Sequence, residues 1–112
     1  MNNDRELLEL AAEAAGKPIT YSGGVWFFGS QAGWNPLTDD GDALRLAVKL
    51  GIFVKIFPAV DDEDHHYPSL VEAWQIDAED PLWVEYEVGN DPYTATRRAI
   101  VRTAAEIGKE MK

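Results

Sequence analysis

The chain contains no cysteine among its 112 residues. Disulfide bonds, zinc–thiolate sites and a cysteine nucleophile are therefore excluded. Basic residues are scarce as well, with 10 Lys plus Arg against 20 Asp plus Glu and a formal net charge of −10. Because nucleic-acid binding depends on counterion release by Lys and Arg, we expect no general DNA or RNA binding. A basic protein partner would be attracted.

Long apolar runs are also missing. No stretch approaches the roughly 18 residues needed to span a bilayer. Residues 1–10 are polar and acidic, and they lack the basic and apolar regions of a signal peptide. We therefore expect no association with a membrane and a location in the cytoplasm.

Apolar residues make up 46% of the chain, including four Trp, four Tyr and four Phe. A chain of this length can bury one hydrophobic core without metals or crosslinks. Neither an internal repeat nor a linker is visible in the sequence. A single domain over residues 1–112 is therefore predicted.

Three segments have the apolar periodicity of amphipathic helices, at residues 4–16, 40–50 and 92–110. Asp91 followed by proline is a strong start signal for the third helix. Four further segments are rich in β-branched and aromatic residues and predict strands, at residues 25–28, 52–57, 70–76 and 82–88. The short turn between the last two strands predicts an antiparallel pair. The resulting fold class is α+β, with a mainly antiparallel sheet of about four strands and three helices packed on it.

The second helix is unusually apolar. A cap at Thr38, Asp39 or Asp40 begins it, and Gly51 ends it. Its apolar surface is about twice as wide as the roughly 100° stripe of a surface helix. We therefore expect neighbours on more than one of its sides. The strand that follows, at residues 52–57, is apolar on both faces, which predicts an interior strand.

Two stretches resemble a known family. Residues 34–50 read WNPLTDDGDALRLAVKL, and residues 91–108 read DPYTATRRAIVRTAAEIG. Both are similar to the phage ABA-sandwich domain family, which consists of small phage and prophage proteins of unknown function. The resemblance implies a single-domain α/β/α sandwich and a phage or prophage origin, hence the cytoplasm of a bacterial host cell. It implies no activity, no cofactor and no catalytic residues.

The polar segment at residues 59–69 contains the richest group of possible metal ligands. His65 and His66 follow four consecutive acidic residues, and imidazole with carboxylate can bind zinc, nickel or manganese. Adjacent histidines in a strand point to opposite faces, however, and no nucleophile accompanies them. An exposed, mobile loop is therefore the favoured interpretation, with the two histidines as weak metal candidates. Whether residues 61–67 have a function stays open.

Three residues are candidates for binding a ligand or partner. Arg97 lies at the margin of the apolar face of the third helix, where its guanidinium needs a counterpart. One alternative is that Arg97, together with Arg45, holds an anionic ligand. The favoured alternative is structural, with Arg97 paired to a buried Asp or to carbonyls of the turn around Asp39. Trp34 is the tryptophan most expected to be exposed, because it lies beside a turn.

These observations favour a non-enzymatic phage or prophage accessory protein that binds a host or phage macromolecule, most readily a basic protein. The alternative is a protein that binds a small ligand or metal through His65 and His66 or through Arg45 and Arg97, and that could be an enzyme. An acidic mimic of nucleic acid that inhibits a basic host protein is a further alternative. The apolar second helix is compatible with a monomer and with a homodimer.

Overall fold

The computed structural model describes residues 4–16, 19–28, 31–57, 60–67, 70–75, 83–86 and 91–110. Within these residues the chain is α+β, with three helices and antiparallel strands. The helices are α1 (Asp4–Ala14), α2 (Asp40–Leu50) and α3 (Pro92–Glu110). All three predicted helices are confirmed, and their described buried residues belong to one hydrophobic cluster.

The described strands form three antiparallel sheets. Their bounds are β1 (Ile19–Ser22), β2 (Val25–Phe28), β3 (Gln31–Ala32), β4 (Ile52–Phe57), β5 (Val60–Asp61), β6 (His66–Tyr67), β7 (Leu70–Gln75) and β8 (Trp83–Tyr86). The first sheet has the order β1-β2-β3, the second β4-β7-β8, and the third is the pair β5-β6. The predicted antiparallel pairing of β7 with β8 is confirmed. The predicted single sheet of about four strands is not confirmed, because the described strands form three smaller sheets.

The β4-β7-β8 sheet is the one on which the helices pack. Val54 pairs with Ala73 and Ile56 with Val71, so these residues share one face. Val71 and Ala73 are fully buried there, and α3 contacts all three strands. On the opposite face none of the described side chains is buried, Phe53 and Trp74 included. The second helical layer of the predicted sandwich is therefore not confirmed.

Helix α3 is the central element of the core. It contacts α1, α2 and every strand of the β4-β7-β8 sheet. Its buried positions carry mainly small side chains, of which Ala99, Ala104 and Ala105 are fully buried. Small residues let two helix backbones approach closely. A Cβ atom built on Gly108 would lie 2.1 Å from the carbonyl oxygen of Leu10, so α1 and α3 are in backbone contact at this point.

Helix α2 has the predicted caps at both ends. Asp39 is the N-cap, and its side chain accepts a hydrogen bond of 2.8 Å from the amide of Asp42. Gly51 is the C-cap with φ of 68°, a left-handed conformation that favours glycine, and its amide donates to the carbonyls of Ala47 and Val48. β4 begins at the next residue, so α2 and β4 run in opposite directions from a shared turn.

Two predictions about burial are wrong. β4 is an edge strand of its sheet and not an interior strand, and Phe53 and Ile56 are 56% and 54% exposed. α2 is not surrounded, because Leu44 and Val48 are 64% and 73% exposed. The physical reason is shared: α3 packs on one side of α2 and on one face of β4, and the outer sides of both elements stay exposed.

The segment predicted to be a mobile loop contains a short hairpin. β5 and β6 pair antiparallel, with Asp61 opposite His66, and the amide of Asp62 donates to the carbonyl of His65 at 2.8 Å. β4 and β7 pair directly before and after this hairpin, so it forms the tip of a longer β4–β7 ribbon. Residues 61–65 are exposed, which agrees with the predicted exposure.

Replacing Gly108 should destabilise the fold through the α1–α3 contact. The Cβ of Gly108→Ala overlaps the backbone of Leu10, so the helices must move apart. Such overpacking typically costs about 1–3 kcal/mol, which exceeds the roughly 1 kcal/mol gained in helix propensity. We expect a lower melting temperature in a thermal unfolding experiment.

Gly41→Ala is the matched control for this substitution. Gly41 also lies in a helix, but the nearest atoms to its added Cβ are side-chain atoms of Arg45 at 3.2 and 3.3 Å and of Asp39 at 3.3 Å, which can move. This variant should be as stable as the parent protein or more stable. Equal melting temperatures for both variants would contradict the inferred backbone contact.

Asp91 caps the start of α3. Its carboxylate accepts hydrogen bonds from the hydroxyl and amide of Thr94 and from the amide of Tyr93. These bonds, led by the hydroxyl of Thr94, lower the pKa of Asp91 below its usual value. A lowered folded-state pKa adds stability above the usual pKa, and that stability is lost as the pH falls through the lowered value.

Comparison of the parent protein with Asp91→Asn should isolate this charge effect. Asn remains a good N-cap but carries no charge. The difference in unfolding free energy between the two proteins should be present at pH 7. It should shrink as the pH falls below about 4, the usual pKa of Asp, because Asp91 is then protonated in the unfolded chain before it is protonated in the folded protein. The other carboxylates titrate in both proteins and cancel. Urea titrations across this pH range measure the difference, and a constant difference would refute the assignment.

Candidate functional site

The turn before α2 is held by a buried carboxylate. Asp42 lies in the first turn of α2 and is 3% exposed. One of its oxygens, Oδ2, accepts a hydrogen bond of 3.0 Å from the amide of Asn35. The Asn35 side chain in turn accepts a bond of 3.0 Å from the amide of Leu37. This network closes the turn onto the N-terminal end of the helix.

Trp34 is buried in this turn, at 3% exposure, and belongs to the hydrophobic core. The prediction that Trp34 is exposed is therefore wrong. The bond from Asn35 to Asp42 folds the turn back over the core and carries Trp34 inward with it. Trp34 is thus a core residue and is not available as a stacking surface for a partner.

Arg45 extends along the surface of α2. Its Nη2 atom lies 2.7 Å from Oδ1 of Asp42, and the Arg45 side chain is 67% exposed. Asp39 is a more distant partner at 3.9 Å. Arg45 therefore neutralises the buried Asp42 from the solvent side.

Arg97 joins α3 to the beginning of α2. Each of its three guanidinium nitrogens donates a hydrogen bond: Nε to the carbonyl of Leu37 at 2.9 Å, Nη1 to Asp40 at 2.6 Å, and Nη2 to the hydroxyl of Thr94 at 3.0 Å. The structural alternative for Arg97 is confirmed in part, since its acceptors include a carbonyl of the predicted turn. The paired Asp40, however, is largely exposed rather than buried.

His65 is exposed at the tip of the β5–β6 hairpin, and the side chain of His66 lies outside the described residues. Asp61, Asp62 and Glu63 are exposed as well. Within the described part of the chain, no group of three or more His, Asp or Glu side chains is placed to hold a metal ion.

An apolar cleft opens between α2, β4 and α3. It has a volume of about 240 Å³. We call it the α2–β4 cleft, and its lining consists of Asp40, Ala43, Leu44, Val54, Ile56, Tyr93, Thr96, Arg97 and Ile100. An apolar cavity of about 150 Å³ accommodates benzene, so this cleft has room for at least one large apolar side chain.

Three polar residues that line the cleft, Asp40, Thr96 and Arg97, make contacts within the chain. Arg97 and Asp40 bond to each other, and the hydroxyl of Thr96 donates to the carbonyl of Pro92 at 2.7 Å. These contacts serve α3 and its junction with α2. Chemically, the cleft therefore offers apolar contact rather than acid–base or nucleophilic groups.

The apolar surface continues beyond the cleft itself. Leu44 and Val48 are one helical turn apart on α2 and form an exposed stripe. Val54 and Ile56 of β4 are exposed beside this stripe, and Tyr93 is 69% exposed at the start of α3. A contiguous exposed apolar surface marks an interaction site more often than chance exposure does.

Charge differs between the two ends of this surface. Asp39 and Asp40 lie at the end where α2 begins, and the exposed acidic tip at residues 61–64 extends from the Phe57 end of β4. Asp40 and Ile56 line the same cleft, so the beginning of α2 lies near the Phe57 end of β4. Lys49 lies at the other end, near the turn at Gly51.

The sequence interpretation missed this surface. The exposed residues Leu44, Val48, Val54 and Ile56 were all predicted to be buried, because an apolar stripe has the same pattern whether a neighbour covers it or not. A signal was nevertheless present: the apolar surface of α2 is wider than one packed neighbour needs. Asp42 was also missed, because a charged residue in the first helical turn normally faces solvent.

No family model, curated protein or solved structure matches the chain. The resemblance of residues 34–50 and 91–108 to the phage ABA-sandwich domain family therefore stays a prediction. Among the described helices, none is both long and apolar enough to cross a membrane.

Removing the Arg97 guanidinium should destabilise the protein. Arg97→Met keeps an apolar stem of similar length but loses all three guanidinium hydrogen bonds, two of which join α3 to the beginning of α2 and one of which goes to Thr94 within α3. Hydrogen bonds from charged groups contribute about 1.5–3 kcal/mol, and the exposure of Asp40 places the expected loss at the lower end of that range. Urea unfolding measures this loss.

Arg98→Met is the matched control. Arg98 is the next residue, and its contact with Asp4 is a surface ion pair of 4.0 Å. Such pairs contribute between about 0 and 1 kcal/mol. If Arg98→Met destabilises the protein as much as Arg97→Met, the contacts of Arg97 have no special structural role.

Proposed function

We propose that the chain is a non-enzymatic protein-binding module, and that the α2–β4 cleft with its exposed surroundings is the docking surface. The observation that carries this proposal is that Leu44, Val54 and Ile56, on two adjoining elements, are exposed and line the same cleft. Burial of apolar side chains contributes about 1.5–3 kcal/mol each, which supplies affinity without any catalytic group.

The negative charge of the chain supports a basic partner. The formal net charge is −10, and long-range attraction raises the rate at which a basic protein is encountered. Apolar contact then supplies the affinity that remains in salt, because surface charges are screened over about 8 Å at physiological ionic strength. Charge and apolar surface thus have different roles in this proposal.

The proposed alternative of an anion-binding or metal-binding protein has less support. The guanidinium of Arg97 donates its hydrogen bonds to acceptors within the chain, and Arg45 is paired to the buried Asp42. Exposed carboxylates at the hairpin tip support the nucleic-acid mimic alternative only in part, because a mimic needs long rows of negative charge. Protein binding through the α2–β4 cleft accounts for the exposed apolar side chains, which neither alternative explains.

The origin of the protein belongs to this proposal too. The resemblance of residues 34–50 and 91–108 supports a phage or prophage accessory protein that acts in the cytoplasm of a bacterial host. A three-layer α/β/α arrangement remains part of the same proposal. It rests on the resemblance, since the described helices contact one face of the β4-β7-β8 sheet.

Affinity capture with a cleft variant tests the proposed docking surface. Leu44→Arg places a charge at the exposed edge of the cleft and should leave the fold intact, because Leu44 is already largely exposed. We expect proteins captured from bacterial lysate by the parent chain to be lost with this variant, as measured by quantitative mass spectrometry. Loss of a central apolar contact costs on the order of 2 kcal/mol, or about 30-fold in affinity.

Val25→Arg is the matched control, because Val25 is also an exposed apolar residue but lies on the separate β1-β2-β3 sheet. This variant should capture the same proteins as the parent chain. The proposal fails if Leu44→Arg, with an unchanged melting temperature, captures the same proteins at the same level.

A further inference from the structure

The outer edge of β4 is unpaired within the described part of the chain. In the β4-β7-β8 sheet, β4 is paired on one side with β7, and no described strand lies on its other side. Its four consecutive residues 53–56 are all exposed. An edge strand presents a row of backbone N–H and C=O groups that can pair with another strand.

This edge lacks most of the usual protection. Proteins commonly shield an edge with proline, with several charges, with a bulge or with a covering element. The described residues of β4 contain one charged side chain, Lys55, whose ammonium lies over the ring of Phe57 at 4.9 Å and on the face away from α3. Apolar side chains flank the edge on both faces: Val54 and Ile56 toward the cleft, and Phe53 on the opposite face.

We propose that β4 accepts an extended segment of a partner protein as an additional strand, with apolar side chains at alternate positions that enter the α2–β4 cleft. This inference rests on the proposed function and specifies how the same surface binds. Alternate side chains of an added strand point to one face, so one set meets Leu44, Val54 and Ile56 while the backbone pairs with β4.

The charges around the edge define the chemistry of the segment. The end of β4 at Phe57 is acidic, because residues 61–64 follow it closely in the chain and Asp40 lines the same cleft as Ile56, whereas Lys49 lies a few residues before Ile52. The segment should therefore carry Lys or Arg beside Phe57. A basic residue there would gain attraction from several exposed carboxylates.

Two other occupants fit the surface less well. An amphipathic helix is about 10 Å wide, which is large for a cleft of about 240 Å³, and it would leave the β4 backbone unpaired. A second copy of this chain would bring together two molecules that each carry a formal charge of −10. Both occupants are outcomes of the test.

The proposal is tested with a yeast-displayed library of random peptides. Each peptide has about 12 residues, which is long enough for a full strand. Peptides are selected for binding to the parent chain and to Val25→Arg but not to Leu44→Arg. We expect the selected peptides to share apolar residues at every second position and a basic residue at one end. Hydrogen exchange should show slowed exchange at alternate amides of β4 when a selected peptide is bound.

Backbone N-methylation of the selected peptide gives the decisive readout. Methyl groups on one set of alternate residues remove the donors that face β4 and should weaken binding by about tenfold or more, whereas methylation of the other set should have a smaller effect. A merely apolar docking mode would not distinguish the two sets. Fluorescence anisotropy measures both affinities.

The outcomes separate this inference from the proposed function. Apolar residues spaced three and four apart in the selected peptides would indicate a bound helix and overturn strand addition. Equal loss of affinity with both methylation patterns would overturn it too. Either result would leave the proposed docking surface in place. A dimer in sedimentation equilibrium that Leu44→Arg dissociates would show that a second copy occupies the edge, and would also overturn it. Failure to enrich any peptide that depends on Leu44 would overturn both.

Discussion

Close packing against the small residues of α3 is the constraint on which the rest of the fold depends. Five of the eight buried residues of this helix are Ala or Gly, so much of its buried surface carries little side-chain volume. At Gly108 the backbone of α1 comes into direct contact, which no larger residue permits. α3 can therefore serve as a common surface for α1, α2 and the β4-β7-β8 sheet, and the remaining elements are positioned by their contact with it.

Polar contacts at the ends of α2 add to its packing on α3. Arg97 connects α3 to the turn that precedes α2, and Asp42 closes that turn. At the other end, the left-handed Gly51 sends the chain directly into β4. With both ends held, α2 does not need to bury its whole apolar surface to stay in place, so the stripe of Leu44 and Val48 is left exposed beside β4.

The elements that could be predicted from the sequence are those with local causes. Asp39 and Gly51 cap α2, and Asp91 begins α3, because a cap depends on a few neighbouring residues. Burial has no such local cause. The alternation of β4 is the same for an interior strand and for an edge strand, so its exposure could be decided only by which elements pack on it.

The candidate residues show the same division. Helical periodicity determines the direction of the Arg97 side chain, so the sequence places it at the edge of an apolar face. A guanidinium there needs an acceptor, which the structure shows to include the carbonyl of Leu37. Trp34 could not be placed, since its burial depends on a hydrogen bond between Asn35 and Asp42 seven residues apart. The same bond turns Asp42 inward, against the usual exposure of an acidic residue in the first turn of a helix.

The use of polar groups inside the fold limits what the surface can do. Arg97, Arg45 and Thr96 donate hydrogen bonds to other groups of the chain, and Asp42 accepts them. A ligand that needed these groups would have to break contacts that hold α2 in place, and binding would then compete with folding. Apolar contacts at Leu44, Val54 and Ile56 carry no such cost, because these side chains are already exposed in the folded chain. The unpaired edge of β4 adds backbone donors and acceptors at the same place. The apolar surface therefore supplies affinity for a partner, and the strand edge beside it fixes the orientation of the bound segment. Neither requires a change in the polar network.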